Sequence, residues 1–261
     1  MNGNRAKQMQ ILMPWLVTVC LFVVWEVACR LFSIPQFILP APSQIVGAMA
    51  EYPTPIMQNA LQTLFTTVIG FALAIVAGLL LGLAVGASPL VYHGLYPLLI
   101  AFNSIPKVAL VPIFVIWLGI GTAPAILTAF IISFFPIVVN VATGLATIEP
   151  EMRDVLRSLG ASKIEVLTKA GIPRSLPYLF ASLKIAITLA FVGSVISETV
   201  ASNDGIGHLM LTASSRFEVP LVFAGVVVVA AMGIALYAIC AAFERRMTRW
   251  AFRGSELISG G

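Results

Sequence analysis

Residues 151–174 read EMRDVLRSLGASKIEVLTKAGIPR, and eight of these 24 residues are charged. The whole chain of 261 residues is 59% hydrophobic and only 10% charged, whereas about a quarter of the residues of an average soluble protein are charged. A chain of this composition has too little polar surface to cover a globule, and its mean hydropathy of +1.01 indicates a bilayer as its solvent. The quoted stretch is therefore a polar interruption between membrane-embedded runs.

The apolar runs on either side of this interruption predict helices that cross the membrane. A bilayer core leaves every backbone group to be paired within the protein, which only helices and closed barrels achieve. The runs are long and do not alternate, so helices are favoured. We predict an all-α membrane protein with a single transmembrane domain over residues 1–261 and six spans at about 11–32, 60–86, 94–118, 123–146, 177–200 and 220–243.

Basic residues predict the orientation of these spans. The N-terminus carries two Lys or Arg residues, the loop at 150–173 with Arg174 carries five and the C-terminal tail carries four, whereas the opposite face has only Arg216. The positive-inside rule therefore places both termini and the 150–173 loop in the cytoplasm. The first apolar run continues past Phe32 without a cleavage site, so we expect a retained membrane helix rather than a signal peptide.

The third span contains an unusual number of prolines. Pro97, Pro106 and Pro112 interrupt it and Pro89 precedes it. Each proline removes a backbone donor and crowds the preceding turn, which predicts either a broken helix beside protein or an aqueous cavity, or a helix that is merely kinked. Asn103 and Lys107 lie at this point, and Lys107 is a candidate to meet an anionic or polar solute in a pathway, or else faces the cytoplasmic end.

Three further polar residues lie within the predicted spans and are pathway candidates. Inserting an ionisable group near the bilayer centre costs about 2.5–3.5 kcal/mol, so Lys184 and Glu198 are each candidates for a functional role. Lys184 could instead extend to the cytoplasmic edge, and Glu198 could lie near the outer surface and organise the loop that follows it. Asn140 is mid-span, where a hydrogen bond between helices is a better explanation than solute contact.

Two other patterns concern helix packing. The second span contains four glycines, the last three at four-residue spacing: Gly70, Gly78, Gly82 and Gly86. Such small residues would let another helix approach closely, either within the chain or in a dimer. Glu26 and Arg30 are one helical turn apart and predict an ion pair.

No residue pattern indicates chemistry or a bound cofactor. The two histidines and three cysteines have no metal-ligand spacing, and no nucleophile is paired with a base in the sequence. A G-x-x-x-x-G-K-[ST] phosphate loop is absent from the sequence, so this chain is not expected to bind ATP itself. We predict neither catalytic residues nor metal ligands nor nucleic-acid binding.

Residues 150–173, the charged segment, predict a helix–glycine–helix element. Pro150 suits the first turn of a helix, and an apolar stripe follows at helical spacing: Met152, Val155, Leu156 and Leu159. Gly160 would end the helix, Ser162 and Glu165 would form a capping box, and Pro173 would redirect the chain. A short apolar knob with mixed charges fits a protein groove, although it could also lie on the bilayer or cover its own helix ends.

The charged segment resembles the cytoplasmic motif of binding-protein-dependent ABC importer permeases, written EAA, three residues, Gly, nine residues, I-x-L-P. Here Asp154-Val155-Leu156, Gly160 and residues 170–173 (Ala-Gly-Ile-Pro) occupy that frame, with Asp in place of Glu and Val-Leu in place of Ala-Ala. The stretches LPAPSQI (39–45), IPKVALVPIFVIWLGIG (105–121), SFFPIVVN (133–140) and VISE (195–198) resemble the nitrate/sulfonate/taurine group of these permeases.

The resemblance implies a type I importer permease in a bacterial inner membrane. It assigns to the charged segment the role of a coupling helix in the groove of a separate ATPase, through Asp154, Val155, Leu156, Leu159, Gly160, Ala161, Ser162, Glu165 and Pro173. The implied partners are a second permease copy, two ATPases that hold ATP and Mg²⁺, and a periplasmic binding protein. The implied solute is a small organic anion such as a sulfonate, taurine, nitrate or an aromatic carboxylate, or a pyrimidine or vitamin-type heterocycle. An ion- or proton-coupled secondary transporter, with Lys107, Lys184 and Glu198 as coupling groups, is the alternative.

Overall fold

Helices account for the secondary structure of the part of the chain that the computed structural model describes, residues 3–146 and 150–248. In chain order they are α1 (Gly3–Leu31), α2 (Pro42–Glu51), α3 (Pro53–Ala87), α4 (Pro89–Asn103), α5 (Val111–Leu118), α6 (Thr122–Ala146), α7 (Pro150–Ser158), α8 (Lys163–Val166), α9 (Ile172–Ala201), α10 (Ile206–Ser215) and α11 (Val219–Met247). A 3-10 turn (Lys107–Leu110) precedes α5, and a π-helical turn (Leu167–Gly171) precedes α9.

Five stretches in the described residues are long and apolar enough to cross a membrane, and the α4–α5 pair makes a sixth if it is taken as one bent span. The predicted all-helical membrane class is therefore confirmed. Several helices extend beyond the predicted spans, because proline at their first positions starts them early: α3 begins at Pro53 and α9 at Ile172. The short helices α2 and α10 were not predicted.

The third span is broken rather than kinked. The axes of its two parts, Leu90–Asn103 and Lys107–Leu118, differ in direction by 78°. Pro97 lies inside α4 without ending it, whereas the break falls at Pro106, which has no N–H and disfavours helical geometry at Ile105. The sequence prediction of a discontinuous helix at this point is confirmed.

Helices α3, α6 and α9 form the centre of the structure, and the glycines of α3 decide how closely α6 packs. A Cβ atom added at each glycine would lie 2.6–2.8 Å from a side-chain carbon of α6, namely Ala129 at Gly70, Ile137 at Gly78, Val141 at Gly82 and Leu145 at Gly86. These distances are shorter than carbon–carbon contact. The glycine pattern therefore serves packing within the chain, one of the two alternatives that the sequence left open.

An apolar cluster lies near the end of α9 that is remote from the charged segment. It joins α2, α3, α10 and α11 through Ile45, Ala48, Ile56, Ile206, Ala213, Leu221 and Ala224. The end of α1 is fixed to this region by Glu26, which pairs with Arg30 at 2.6 Å and accepts hydrogen bonds from the N–H and hydroxyl of Ser43 at the start of α2. The predicted ion pair is confirmed, and it also anchors α2.

Candidate functional site

The charged segment, which precedes α9, exposes several apolar side chains. Val155, Leu159 and Ile164 are 58%, 79% and 72% exposed, and Met152 is 39% exposed. The predicted apolar stripe of α7 is therefore largely exposed, with Leu156 half-buried. Burying one such side chain is worth about 1.5–3 kcal/mol, so this surface favours contact with another apolar surface.

A glycine turn shapes this apolar surface. Gly160 has φ +87°, a left-handed conformation that side chains with a Cβ rarely adopt. Its N–H donates to the Arg157 carbonyl at 2.9 Å, and the N–H of Ala161 donates to the Leu156 carbonyl at 3.0 Å. Both bonds belong to a Schellman motif that ends α7. The helix stop predicted at Gly160 is confirmed.

The predicted capping box starts α8. The hydroxyl and the N–H of Ser162 both donate to Glu165 Oε2 at 2.9 Å, and the N–H of Glu165 donates to Ser162 Oγ at 3.3 Å. Lys169 Nζ lies 3.8 Å from Glu165 Oε1. Reciprocal bonds of this kind satisfy amide donors that the first helical turn leaves free, so the second half of the segment has a defined start.

The segment passes into α9 almost without a break. Val166 is buried, the π-helical turn Leu167–Gly171 follows, and Pro173 occupies the first turn of α9. Pro173 has no N–H to continue a regular helical bond with the preceding turn. Because α9 is a single helix of 30 residues, it connects the charged segment with a point about 45 Å away.

At the break in the third span the structure brings Asn103 and Lys107 together. The ammonium group of Lys107 donates to the backbone carbonyl of Asn103 at 3.0 Å and to its Oδ1 at 2.9 Å. It also lies 4.9 Å from the ring centroid of Phe135, within cation–π range. Lys107 thus covers the open carbonyl end of α4, while Asn103 remains exposed.

Lys184 forms an ion pair that was not predicted. Its Nζ lies 2.6 Å from Glu244 Oε2 near the end of α11, and the two side chains are only 24% and 16% exposed. The possibility that Lys184 extends to the cytoplasmic edge stays a prediction, and the structure adds a counter-charge that was not foreseen. The signal in the sequence was Glu244 itself, an acid in an apolar helix.

Glu198 is buried between helices, with 1% of its surface exposed. Thr63 and Thr66 of α3 donate their hydroxyls to its carboxylate at 2.7 and 3.2 Å, and the N–H of Gly207 donates at 3.3 Å. Its side chain therefore does not line an open passage in this conformation. The contact with Gly207 agrees with the alternative prediction, that Glu198 organises the loop after α9.

Among the described residues, Asn140 forms no hydrogen bond to another helix, contrary to the prediction. Its side-chain amide donates to the carbonyl of Pro136, one turn earlier in the same helix, at 2.8 Å. A bond within one turn needs no partner helix at the right height, which is why this local acceptor wins.

Comparison with known proteins places these features in a family. Residues 74–249 match the family described as binding-protein-dependent transport system inner membrane component. The formylaminopyrimidine transport permease protein ThiX of Halalkalibacterium halodurans is 32% identical over 245 residues, covering 94% of this chain and 98% of that protein. The riboflavin transport system permease protein RibX of Chloroflexus aurantiacus is 32% identical, with 88% and 87% covered. The taurine transport system permease protein TauC of Escherichia coli is 27% identical, with 88% and 86% covered.

A solved structure supports the fold independently. The MetNI methionine ABC transporter in an inward-facing conformation matches with a TM-score of 0.63 at 20% identity, over 73% of this chain and 94% of the matched chain. The family match includes the broken third span and the whole charged segment, so the resemblance seen in the sequence is confirmed. The chain belongs to the family of binding-protein-dependent transport system inner membrane components and is the permease subunit of an ABC importer.

Proposed function

We propose that two copies of this chain form a pathway for a small organic solute, and that each copy binds one ABC ATPase through its charged segment. ATP and Mg²⁺ would be held by the ATPase. A periplasmic binding protein would deliver the solute to the opposite face. This chain would perform no chemistry, and its part is to change conformation when the ATPase pair closes.

The observation that carries this proposal is the exposed apolar surface on either side of Gly160. Val155, Leu159 and Ile164 project from an element whose shape is fixed by a Schellman motif and a capping box. A rigid knob with exposed apolar side chains and charged neighbours suits a groove on a folded partner. It is poorly suited to lie on a membrane, because its flanking charges are of both signs rather than uniformly basic.

The proposal includes an orientation in the membrane. Basic residues concentrate in the termini and in the charged segment, which supports a cytoplasmic position for all three. The end of α9 that carries α10 would then face the periplasm of a bacterial inner membrane. An ATPase in the cytoplasm and a binding protein in the periplasm would act on opposite ends of one helix.

The alternative, an ion- or proton-coupled secondary transporter, depended on free charges within the spans, and the structure gives each of these groups a partner. Lys184 is paired with Glu244, Lys107 contacts Asn103 and Phe135, and Glu198 receives hydroxyl and amide donors. A carboxylate surrounded by donors is arranged as a hydrogen-bond acceptor and not as a cation ligand, which would need further oxygen lone pairs directed at the cation.

For the solute, we propose that the broken third span lines the pathway. Lys107 and Asn103 lie where the helix is interrupted, and irregular backbone at membrane depth is tolerated where it lines a cavity. A lysine beside an aromatic ring suits a carboxylate, a sulfonate or a polar heterocycle. The relatives named for taurine, riboflavin and formylaminopyrimidine span this range of solutes.

The test is solute uptake by vesicles in which the chain is co-expressed with its ATPase and binding protein. We expect uptake that requires ATP and is inhibited by vanadate. Gly160→Val should lower uptake at least tenfold while the amount of permease in the membrane stays the same, because a β-branched residue is strongly disfavoured at positive φ.

Gly160→Asn is the matched control, since asparagine is the side chain that tolerates this conformation best. It should retain more uptake than the valine variant, because no atom lies within 4 Å of a Cβ at this position. Uptake that persists without any ATPase and collapses with the ion gradient would contradict the proposal and favour a secondary transporter.

A further inference from the structure

The start of α10 is held by side chains from two other helices. Three successive amide groups at this helix end donate to side-chain oxygens: Gly205 to Asn59 Oδ1 at 2.7 Å, Ile206 to Thr63 Oγ1 at 2.9 Å and Gly207 to Glu198 Oε2 at 3.3 Å. The first amides of a helix have no partner within the helix. Here α3 and α9 supply the partners, so α10 is attached to both helices by its backbone.

Glu198 is the centre of this arrangement, because it contacts both α3 and α10. In addition to Gly207 it accepts the hydroxyl of Thr63, which itself accepts the N–H of Ile206. Within the described residues no Lys or Arg forms an ion pair with this buried carboxylate. Because a buried polar group needs hydrogen-bond partners, the Glu198 carboxyl group depends on α3 and α10 remaining in place, and the start of α10 depends on that carboxyl group.

The chain approaches Glu198 so closely that only glycine fits at two positions. A Cβ on Gly205, which has φ +105°, would collide with the carboxyl group of Glu198. A Cβ on Gly207 would collide with the carbonyl of Val195 in α9. The Gly205-Ile206-Gly207 turn is therefore shaped to lie directly over the end of α9.

This end of α9 is also a junction with the third span and α6. The N–H of Gly121, between α5 and α6, donates to the carbonyl of Ala201 at 3.1 Å. Gln62 of α3 donates to Thr122 at the start of α6 at 3.0 Å. Helix α10 itself is buried in the apolar cluster at this end through Ile206. The last turn of α9 thus contacts the elements that form the face opposite the charged segment.

We propose that Glu198 is a positioning residue that locks α10 to α9, so that a displacement of α10 at the outer face is transmitted along α9 to the charged segment. This inference rests on the proposed function and adds to it the element by which the binding protein's side is connected with the ATPase's side. Ile172 and Glu198 are 26 residues apart on one helix, or about 39 Å. Without the lock, α10 moves independently of α9.

Two isosteric variants on α3 make a matched pair for the test. Thr63 and Thr67 lie one turn apart and are both 0% exposed, but the hydroxyl of Thr67 has no hydrogen-bond partner among the described residues. Thr63→Val should raise amide hydrogen exchange of a peptide covering 203–210 about tenfold, since a buried amide and a buried carboxylate each lose a partner. Thr67→Val should leave that exchange unchanged.

Substitution at Glu198 adds a rescue experiment. Glu198→Ala should raise exchange in the same peptide, and Glu198→Gln, which keeps an acceptor oxygen for the Gly207 amide, should restore part of the protection. Ser197→Ala is the neighbouring control, because the buried Ser197 hydroxyl has no partner among the described residues. Equal exchange in Thr63→Val, Glu198→Ala and wild-type permease would overturn the proposal.

The functional measurement is the fold stimulation of ATP hydrolysis by the binding protein in the reconstituted importer. Thr63→Val and Glu198→Ala should lower this ratio at least fivefold, Glu198→Gln should recover part of it, and Thr67→Val and Ser197→Ala should match wild type. If wild-type importer shows no stimulation, the proposed function fails. If wild type is stimulated and Thr63→Val and Glu198→Ala are stimulated equally, the lock is refuted while the proposed function stands.

Discussion

Replacing Gly82 of α3 with alanine should push α3 away from α6. A Cβ at Gly82 would lie 2.7 Å from Val141 Cβ and 2.9 Å from its Cγ1, whereas carbon atoms in contact are about 3.5–4.0 Å apart. To remove this overlap, the two groups must move apart by about 1 Å. The atoms in the way belong to a β-branched side chain with one strongly preferred rotamer in a helix, so the helices must separate rather than a side chain rotate.

The expected magnitude follows from two opposing effects. Overpacking a tight contact costs about 1–3 kcal/mol, and alanine gains about 1 kcal/mol over glycine within a helix. Gly82→Ala should therefore lower the free energy of unfolding by about 1 kcal/mol. At Gly47, in the middle of α2, no atom lies within 4 Å of an added Cβ, so Gly47→Ala should raise it by about 1 kcal/mol.

Thermal unfolding of the purified permease in micelles, followed by tryptophan fluorescence, measures this difference. A gap of about 2 kcal/mol between the variants corresponds to about 4–8 °C in Tm for a chain of this size, with Gly47→Ala the higher and wild type between them. A Gly82→Ala variant that melts at or above Gly47→Ala would refute the argument that these glycines set the distance between α3 and α6.

The charged pairs give two further predictions. Lys184→Met should lower the free energy of unfolding by about 1–3 kcal/mol, because it leaves Glu244 partly buried without a counter-charge. The Lys184→Met/Glu244→Gln double variant should recover most of that loss in thermal unfolding. A double variant no more stable than the single one would contradict the pairing. Lys107→Met should lower uptake of an anionic solute about tenfold, because one charge-assisted hydrogen bond is lost, and Lys107→Arg should retain most of the uptake. If the methionine variant takes up the solute as fast as wild type, Lys107 only covers the end of α4.

The sequence predicted best what is determined locally. The turn at Gly160, the capping box between Ser162 and Glu165 and the break at Pro106 each depend on residues within a few positions of one another. Proline, left-handed glycine and capping side chains act on their own backbone, so reading along the chain is enough to find them. The composition likewise requires a membrane-spanning helical class without knowledge of the packing.

What the sequence did not reveal depends on distant partners. Lys184 and Glu244 are 60 positions apart, and Thr63 and Glu198 are 135 positions apart. No periodicity specifies which faces of two helices meet, or at what height along the membrane. The Asn140 error has the same origin, because an interhelical partner was assumed where the residue's own preceding turn offered an acceptor.

Helix α9 connects a feature set by local sequence with a feature set by contacts between distant residues. One end begins at the charged segment, whose shape is set by local turn chemistry, and the other end is held by the buried contacts of Glu198 with α3 and α10. The glycines of α3 bring α6 close to α3, and α6 also packs against α9, since a Cβ on Gly193 of α9 would approach the Ala129 Cα to 3.2 Å. A helix held this tightly on its flank cannot bend easily in the middle. We therefore expect a displacement of the charged segment to reach the far end with little bending of the packed part of α9, as a permease driven by an external ATPase would require.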